Sequence, residues 1–195
     1  MQHPDQLRWN RKYEAKGMDN LNPNPSDWLL EHQRELNQQS KGIAIDIACG
    51  NGRNSLFLAE MGYEVDAVDI SNTAIDWLKS KVEHLLLPVY PVCRNLTPNT
   101  LRKAYYQVVC NFYFLERQLF PEIERSLVSG GLLFFETFTE EHLNFHPSMP
   151  SKFCLKKNEL LHAFPSLHIL HYQETILNDH TDQARAVARL LAKKN

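Results

Sequence analysis

Residues 43–56 read I-A-I-D-I-A-C-G-N-G-R-N-S-L, an apolar run interrupted by Asp46 and then broken by Gly50 and Gly52. A strand that only filled a core would need neither the carboxylate nor the glycines. Glycines one residue apart let the backbone turn tightly and let a ligand approach with no Cβ in the way. A helix opening at Gly52 would aim its unpaired N–H groups into the same place. Two kinds of nucleotide cofactor use such a turn. Dinucleotides favour G-x-G-x-x-G, with pyrophosphate on the helix N-terminus. Here Ser55 takes the third glycine's place, and Asp46 lies four residues before the first glycine. A carboxylate there is badly placed beside a pyrophosphate and well placed beside a cation. S-adenosylmethionine (SAM), with its sulfonium and α-ammonium, meets that description. Asp69, at the end of the next apolar stretch, could hold ribose hydroxyls of either cofactor and does not discriminate.

The remaining reactive residues lie downstream. His142 and His146 have the i, i+4 spacing that can suit a metal, but no third ligand is evident and Pro147 opposes a regular helix. No metal is assigned to them. Either could touch substrate or act as a base, as could Tyr113, while Arg185 is a candidate partner for a negative acceptor. His162, His168, His171 and His180 are expected to face solvent or fill gaps. Phe112, Tyr113, Phe138 and Phe145 could pack in the core or form an apolar substrate wall. Cys49, Cys93, Cys110 and Cys154 lack C-x-x-C spacing and read as free thiols of a reducing compartment, buried in apolar stretches.

Strands and helices that alternate must position these groups. N-P-N-P (Asn22 to Pro25) separates an N-terminal arm, residues 1–25, from the rest. Ser26 is an N-cap candidate for a helix through Leu36. Strands are expected at Gly42 to Ala48, Tyr63 to Asp69, Pro88 to Cys93, Ala104 to Asn111 and Leu132 to Phe138. Helices are expected from Gly52 to Met61, after Ser71 with Ile75, Leu78, Val82 and Leu85 on one stripe, from Pro121 to the S-G-G at Ser129, and from Lys157 to Ala163. Leu167 to Thr175 and Ala184 to Leu191 read as a closing hairpin, although A-R-A-V-A-R-L-L-A could also be helical. Short apolar strands alternating with helices argue for an α/β fold, a doubly wound parallel sheet covered on both faces. Such a sheet binds ligands at the carboxyl ends of its strands where strand order reverses, which is where C-G-N-G falls.

Length and composition bound the function. The 195 residues, 43% hydrophobic, suit a single globular domain. A net charge of -2 favours neither nucleic acid nor anionic membranes. The first twenty residues contain no apolar signal-peptide core, and no apolar run is long enough to span a bilayer. A cytoplasmic protein is expected, monomeric or homodimeric.

The stretch D-I-A-C-G-N-G-R-N-S-L, followed by G-Y-E-V-D-A-V-D-I-S, resembles the class I SAM-dependent methyltransferases. Within them it is most similar to the small bacterial group around the tellurite-resistance methyltransferases. R-W-N-R-K-Y (Arg8 to Tyr13) resembles the aromatic arm that closes over SAM in that group, and S-L-V-S-G-G-L-L-F-F-E-T-F resembles the turn and fifth strand of the fold. The resemblance implies a Rossmann-like, seven-stranded sheet, mostly parallel, with an antiparallel last strand. It implies that Asp46 and the backbone at Cys49, Gly50 and Gly52, with Asn54 nearby, hold the methionine end of SAM. Asp69 would take the ribose and Ile70 the adenine. Asn95 stands where the family usually has an acid reading the adenine amine, followed by Leu96. Asn111 to Phe114 would line the reacting end, and Trp9 and Tyr13 would cover the cofactor or simply dock the arm. The expected reaction is methyl transfer to a small acceptor, such as a thiol or a tellurite- or selenite-like oxyanion. The alternatives are a nicotinamide-dependent oxidoreductase and a SAM-binding protein without catalysis.

Overall fold

A computed structural model describes residues 3–178 and 184–195. The turn of the closing hairpin and His180 lie outside the described residues. Seven strands form one sheet: β1 (Ile43–Ile47), β2 (Glu64–Asp69), β3 (Val89–Cys93), β4 (Tyr106–Phe112), β5 (Leu127–Phe138), β6 (His168–Asn178) and β7 (Ala184–Lys193), in the order β3-β2-β1-β4-β5-β7-β6. Strands β1 to β5 pair in parallel. β7 enters antiparallel between β5 and β6. The final segment is therefore a strand and not a helix. Strand order reverses between β1 and β4, so the crevice of this fold opens beside the glycine turn.

Period-two alternation divides the strand side chains between two cores. Ala44, Val108, Leu132, Phe134 and Leu191 pack beneath α2 (Asp27–Glu31), α3 (Gln33–Gln38), α4 (Arg53–Glu60) and α5 (Asn72–Leu85). Ile45, Val109, Leu133, Phe135 and Leu190 pack on the other face, against α6 (Phe120–Ser126) and α7 (Glu159–Ala163). The same alternation turns Asp46, Glu136 and Arg189 toward the first face. There they are the buried charges of an otherwise apolar surface.

Three expectations need correction. The helix from Ser26 breaks at His32 into α2 and α3. Ser26 does cap the first piece, accepting from the Trp28 N–H at 3.3 Å. The S-G-G turn does not end a helix. α6 stops at Ser126, and the glycines lie inside β5, where pairing with β4 shifts register between Tyr106 and Val108. Gly130 has φ +79, and a Cβ on Gly131 would stand 3.0 Å from the Tyr106 carbonyl oxygen. The chain needs glycine there for close backbone approach, and Lys194 pairs with both glycines. Finally, Cys93 is exposed, while Cys49, Cys110 and Cys154 are buried; β3 is the sheet's edge strand, with less to cover it.

The arm forms α1 (Pro4–Lys16), which contains no buried residue. It lies across the N-terminal end of α5 through polar contacts. Asn10 Oδ1 accepts from Ser71 Oγ at 2.6 Å, Thr73 Oγ1 donates to Glu14 at 3.2 Å, and Gln6 reaches Asn72. Among the described residues no helix is long and apolar enough to cross a membrane.

Candidate active site

The glycine turn leaves β1 through three consecutive departures from ordinary backbone. Ala48, Gly50 and Gly52 have φ of 55, 56 and 71. A Cβ on Gly52 would stand 2.4 Å from Leu78 Cδ1, so this glycine is what lets α4 pack on α5. A Cβ on Gly50 would stand 3.1 Å from the Tyr13 hydroxyl. The Tyr13 end of the arm therefore lies against the turn. The linker that carries the arm is stitched to the same turn. Asn51 Nδ2 donates to the Asn22 carbonyl at 2.9 Å, Arg53 to the Asn24 carbonyl at 2.9 Å, and Asn54 Oδ1 accepts from the Ser26 N–H at 2.8 Å. Asn54, expected beside the cofactor, also holds the start of α2.

Asp46 is 1% exposed and accepts a 2.6 Å hydrogen bond from Ser55 Oγ. Burial pushes its pKa up to about 7, against the opposing pull of Ser55 and Arg53. No lysine or arginine pairs with it among the described residues. Asp69 accepts from the Gly50 N–H at 2.9 Å and the Ser71 N–H at 2.8 Å. Its carboxylate thus ties the first turn to the second, and burial raises its pKa despite these bonds. Each oxygen keeps a further lone pair for a ligand. Ile70 follows at the surface of the crevice, and Cys49, buried, donates its N–H to the Val68 carbonyl at 3.0 Å.

Other expected contacts fall at varying depth. Asn111 is buried at the end of β4 and donates from Nδ2 to the Phe114 carbonyl at 2.7 Å. Asn95 is exposed just after β3, and Leu96 packs against the core on the α6 face. Trp9 is half-buried 5.6 Å from the Tyr13 ring, with Lys12 Nζ 4.2 Å above it. The Arg8 guanidinium lies over both Trp9 and Phe153, joining the arm to the segment after β5.

The four catalytic candidates gather at the ends of β4, β5 and β7. Tyr113 has φ 57, rare for a bulky side chain and a form of stored strain found at functional sites. Its ring lies 5.0 Å from Phe138, Phe138 stacks 4.1 Å from His142, and His142 lies 4.3 Å from His146. Arg185 Nη1 donates to the Tyr113 hydroxyl at 3.2 Å. Burial and then Glu136 raise the Tyr113 pKa, so the group is a phenol that donates and not a base. His142 is 2% exposed, and its Nδ1 has no hydrogen-bond partner among the described residues. Burial, then His146 and Arg185, lower its pKa, which keeps the imidazole neutral and able to accept a proton.

Sequence reasoning missed what orients these groups. Glu136 and Arg189 are cross-strand partners in the β5–β7 register, joined at 2.8 Å and nearly free of solvent. Arg189 also reaches Glu31 on α2 at 3.3 Å and lies over the Trp28 ring. A chain of alternating charge therefore runs from Glu31 through Arg189 to Glu136, whose backbone carbonyl accepts from the Tyr113 N–H at 2.7 Å. The signal was present as the one acid of β5, in L-L-F-F-E-T-F, and as a base in the apolar middle of β7, A-V-A-R-L-L. Asn10, Glu14 and Ser71, which dock the arm, were missed as well.

Comparison with known proteins fits this geometry. A family model described as "Tellurite resistance protein TehB" matches residues 31–190. A Haemophilus influenzae protein named "Probable S-adenosyl-L-methionine-dependent methyltransferase TehB" is 27% identical over 139 residues, 68% of this chain and 48% of its own length. The chain spans about half the length of the curated relatives it matches. The crystal structure of TehB from Haemophilus influenzae superposes with a TM-score of 0.75 at 20% identity, covering 95% of this chain and 67% of that one. Geranyl diphosphate C-methyltransferase from Streptomyces coelicolor, solved with Mg2+, geranyl diphosphate and S-adenosylhomocysteine, superposes with a TM-score of 0.65 at 16% identity, covering 87% and 76%. At these identities the structural likeness is one of fold.

Proposed function

The chain belongs to the TehB family, and on that premise we propose that it is a SAM-dependent methyltransferase acting on a small, soft, anionic acceptor. The observation that carries the reading is Asp46. A carboxylate 1% exposed, beneath a turn kept bare by Gly50 and with no cationic side chain paired to it among the described residues, fits a positively charged ligand. SAM supplies a methyl group already activated on a sulfonium. Asp46 and the turn backbone would hold its methionine end, Asp69 its ribose, and Tyr13 would cover it.

The protein's work is then alignment and exclusion of water, which can be worth on the order of 7–11 kcal/mol. α1 would roof the turn, and Phe138 would wall the reacting end. Arg185 beside Tyr113 offers positive charge and a hydroxyl donor to a negative acceptor such as a thiolate, tellurite or selenite. Such acceptors need no base. For a protonated acceptor, neutral His142 is placed to take the proton, with His146 beside it. The buried pair of Glu136 and Arg189 would keep Tyr113 and the crevice wall in register.

Calorimetry with S-adenosylhomocysteine tests the cofactor reading. Asp46→Ala should weaken binding by about 100-fold or more; unchanged affinity would remove its basis. Transfer of labelled methyl to a panel of tellurite, selenite and small thiols tests the acceptor. Arg185→Met should raise KM for the anionic acceptors while leaving S-adenosylhomocysteine affinity intact. Tight cofactor binding with no labelled product would make this a SAM-binding protein without transfer.

A further inference from the structure

Away from the crevice, two local irregularities bring three ligand-type side chains together. His32 is the residue at which α2 ends and α3 begins, with φ -112 and ψ 27. Glu35 lies one turn on, in the first turn of α3. His171 follows the place where β6 slips register against β7, between Ile169 and His171. Helix break and strand bulge turn the two imidazoles toward each other, with centroids 4.4 Å apart. The Glu35 carboxylate straddles them, Oε2 lying 3.8 Å from His32 Nδ1 and Oε1 lying 3.7 Å from His171 Nε2. One donor atom from each residue falls within 4.8 Å of the others.

We propose that His32, Glu35 and His171 form a site for one first-row divalent transition-metal ion, Zn2+ being the reference, with water completing the coordination. Two imidazoles and a carboxylate form a ligand set suited to Zn, Ni, Co or Cu rather than to Mg or Ca. Around a tetrahedral ion with bonds of about 2.0–2.1 Å, neighbouring ligand atoms lie roughly 3.3 Å apart. One donor from each residue lies within 4.8 Å of the others, so the side chains must draw together to close on an ion. Glu35 and His171 keep solvent exposure of 27% and 49%, so both can swing inward and an ion can enter. His32 is buried, and its Nε2 has no hydrogen-bond partner among the described residues, which leaves Nδ1 as its working nitrogen. The His32, Glu35 and His171 side chains converge from the α2–α3 corner and β6, and a cation would bridge them. The bound ion would fasten the α2–α3 corner to β6, next to Glu31, where the buried charge chain begins.

Untagged protein, stripped with chelator, is titrated with Zn2+ against a chromogenic chelator and with Co2+ by visible absorption. The wild type should bind one equivalent and show a higher Tm in Zn2+. His171→Ala, at an exposed position, and Glu35→Gln, at a half-buried one, should each weaken binding by about 100-fold and abolish the Tm rise. His146→Ala, in the other histidine pair, should leave binding unchanged. Absence of stoichiometric binding in the wild type, undiminished affinity in His171→Ala, or loss on His146→Ala in its place would overturn the assignment.

Discussion

Asp46 is held by opposing forces. Burial without an ion-pair partner raises its pKa to about 7 in the unliganded protein. The folded state therefore binds this proton more tightly than the unfolded state, whose value is near 3.8. The resulting stability is fully present below about pH 4 and is lost as pH rises to about 7. Three pKa units correspond to about 4 kcal/mol. Asp46→Asn keeps an acceptor for Ser55 and removes the charge, so its unliganded Tm should fall less than wild type between pH 5 and 8, leaving the variant the more stable at pH 8. Saturating S-adenosylhomocysteine should erase the wild-type decline and leave the variant unmoved. Thermal melts across that range, with and without ligand, read both effects. A residue that is destabilising when alone and compensated by a cationic ligand is the pattern expected of a binding group.

At the scale of elements, α1 is the piece whose attachment is weakest and whose position matters most. It buries no residue of its own and docks through Asn10, Glu14 and Gln6. Few buried apolar contacts place a helix at the low-stability end of a fold. Removal of residues 1–16 should therefore shift the unliganded Tm by no more than a few degrees. The same truncation should weaken S-adenosylhomocysteine by about tenfold, mostly through faster dissociation, as for a covering segment. Hydrogen exchange should find α1 amides poorly protected in the free protein and slowed once ligand is bound. The linker contacts of Asn51, Arg53 and Asn54 explain how such a loosely held helix returns to one place.

At the scale of the whole molecule, Glu136 and Arg189 join the centre of the sheet to α2. Both are almost fully buried, and their pairing with Glu31 spans residues 158 apart in the chain. Breaking a buried pair strands a charge and costs about 3–5 kcal/mol, whereas replacing both members can be nearly neutral. Arg189→Met should accordingly destabilise strongly, and Arg189→Met with Glu136→Gln should recover much of the loss. Urea denaturation of the two single variants and the double variant measures the coupling. The pair also neighbours the proposed reacting end, since the Tyr113 N–H donates to the Glu136 carbonyl at 2.7 Å.

The sequence by itself determined what depends on neighbours along the chain. Asp46 and the glycines of the first turn, Asp69 at the end of β2, and the alternation of strands and helices are all written in local spacing, whereas the closing hairpin followed mainly from the family resemblance. Tertiary structure alone decided which distant residues meet. Glu136 opposes Arg189 because β7 inserts antiparallel beside β5, and His32 faces His171 because a helix breaks where a strand slips. It also joined Asn54 to Ser26 at the start of α2, and left Cys93 in solvent on an edge strand. Periodicity tells which face a side chain takes, but the register between strands far apart in sequence is set by packing the whole sheet at once.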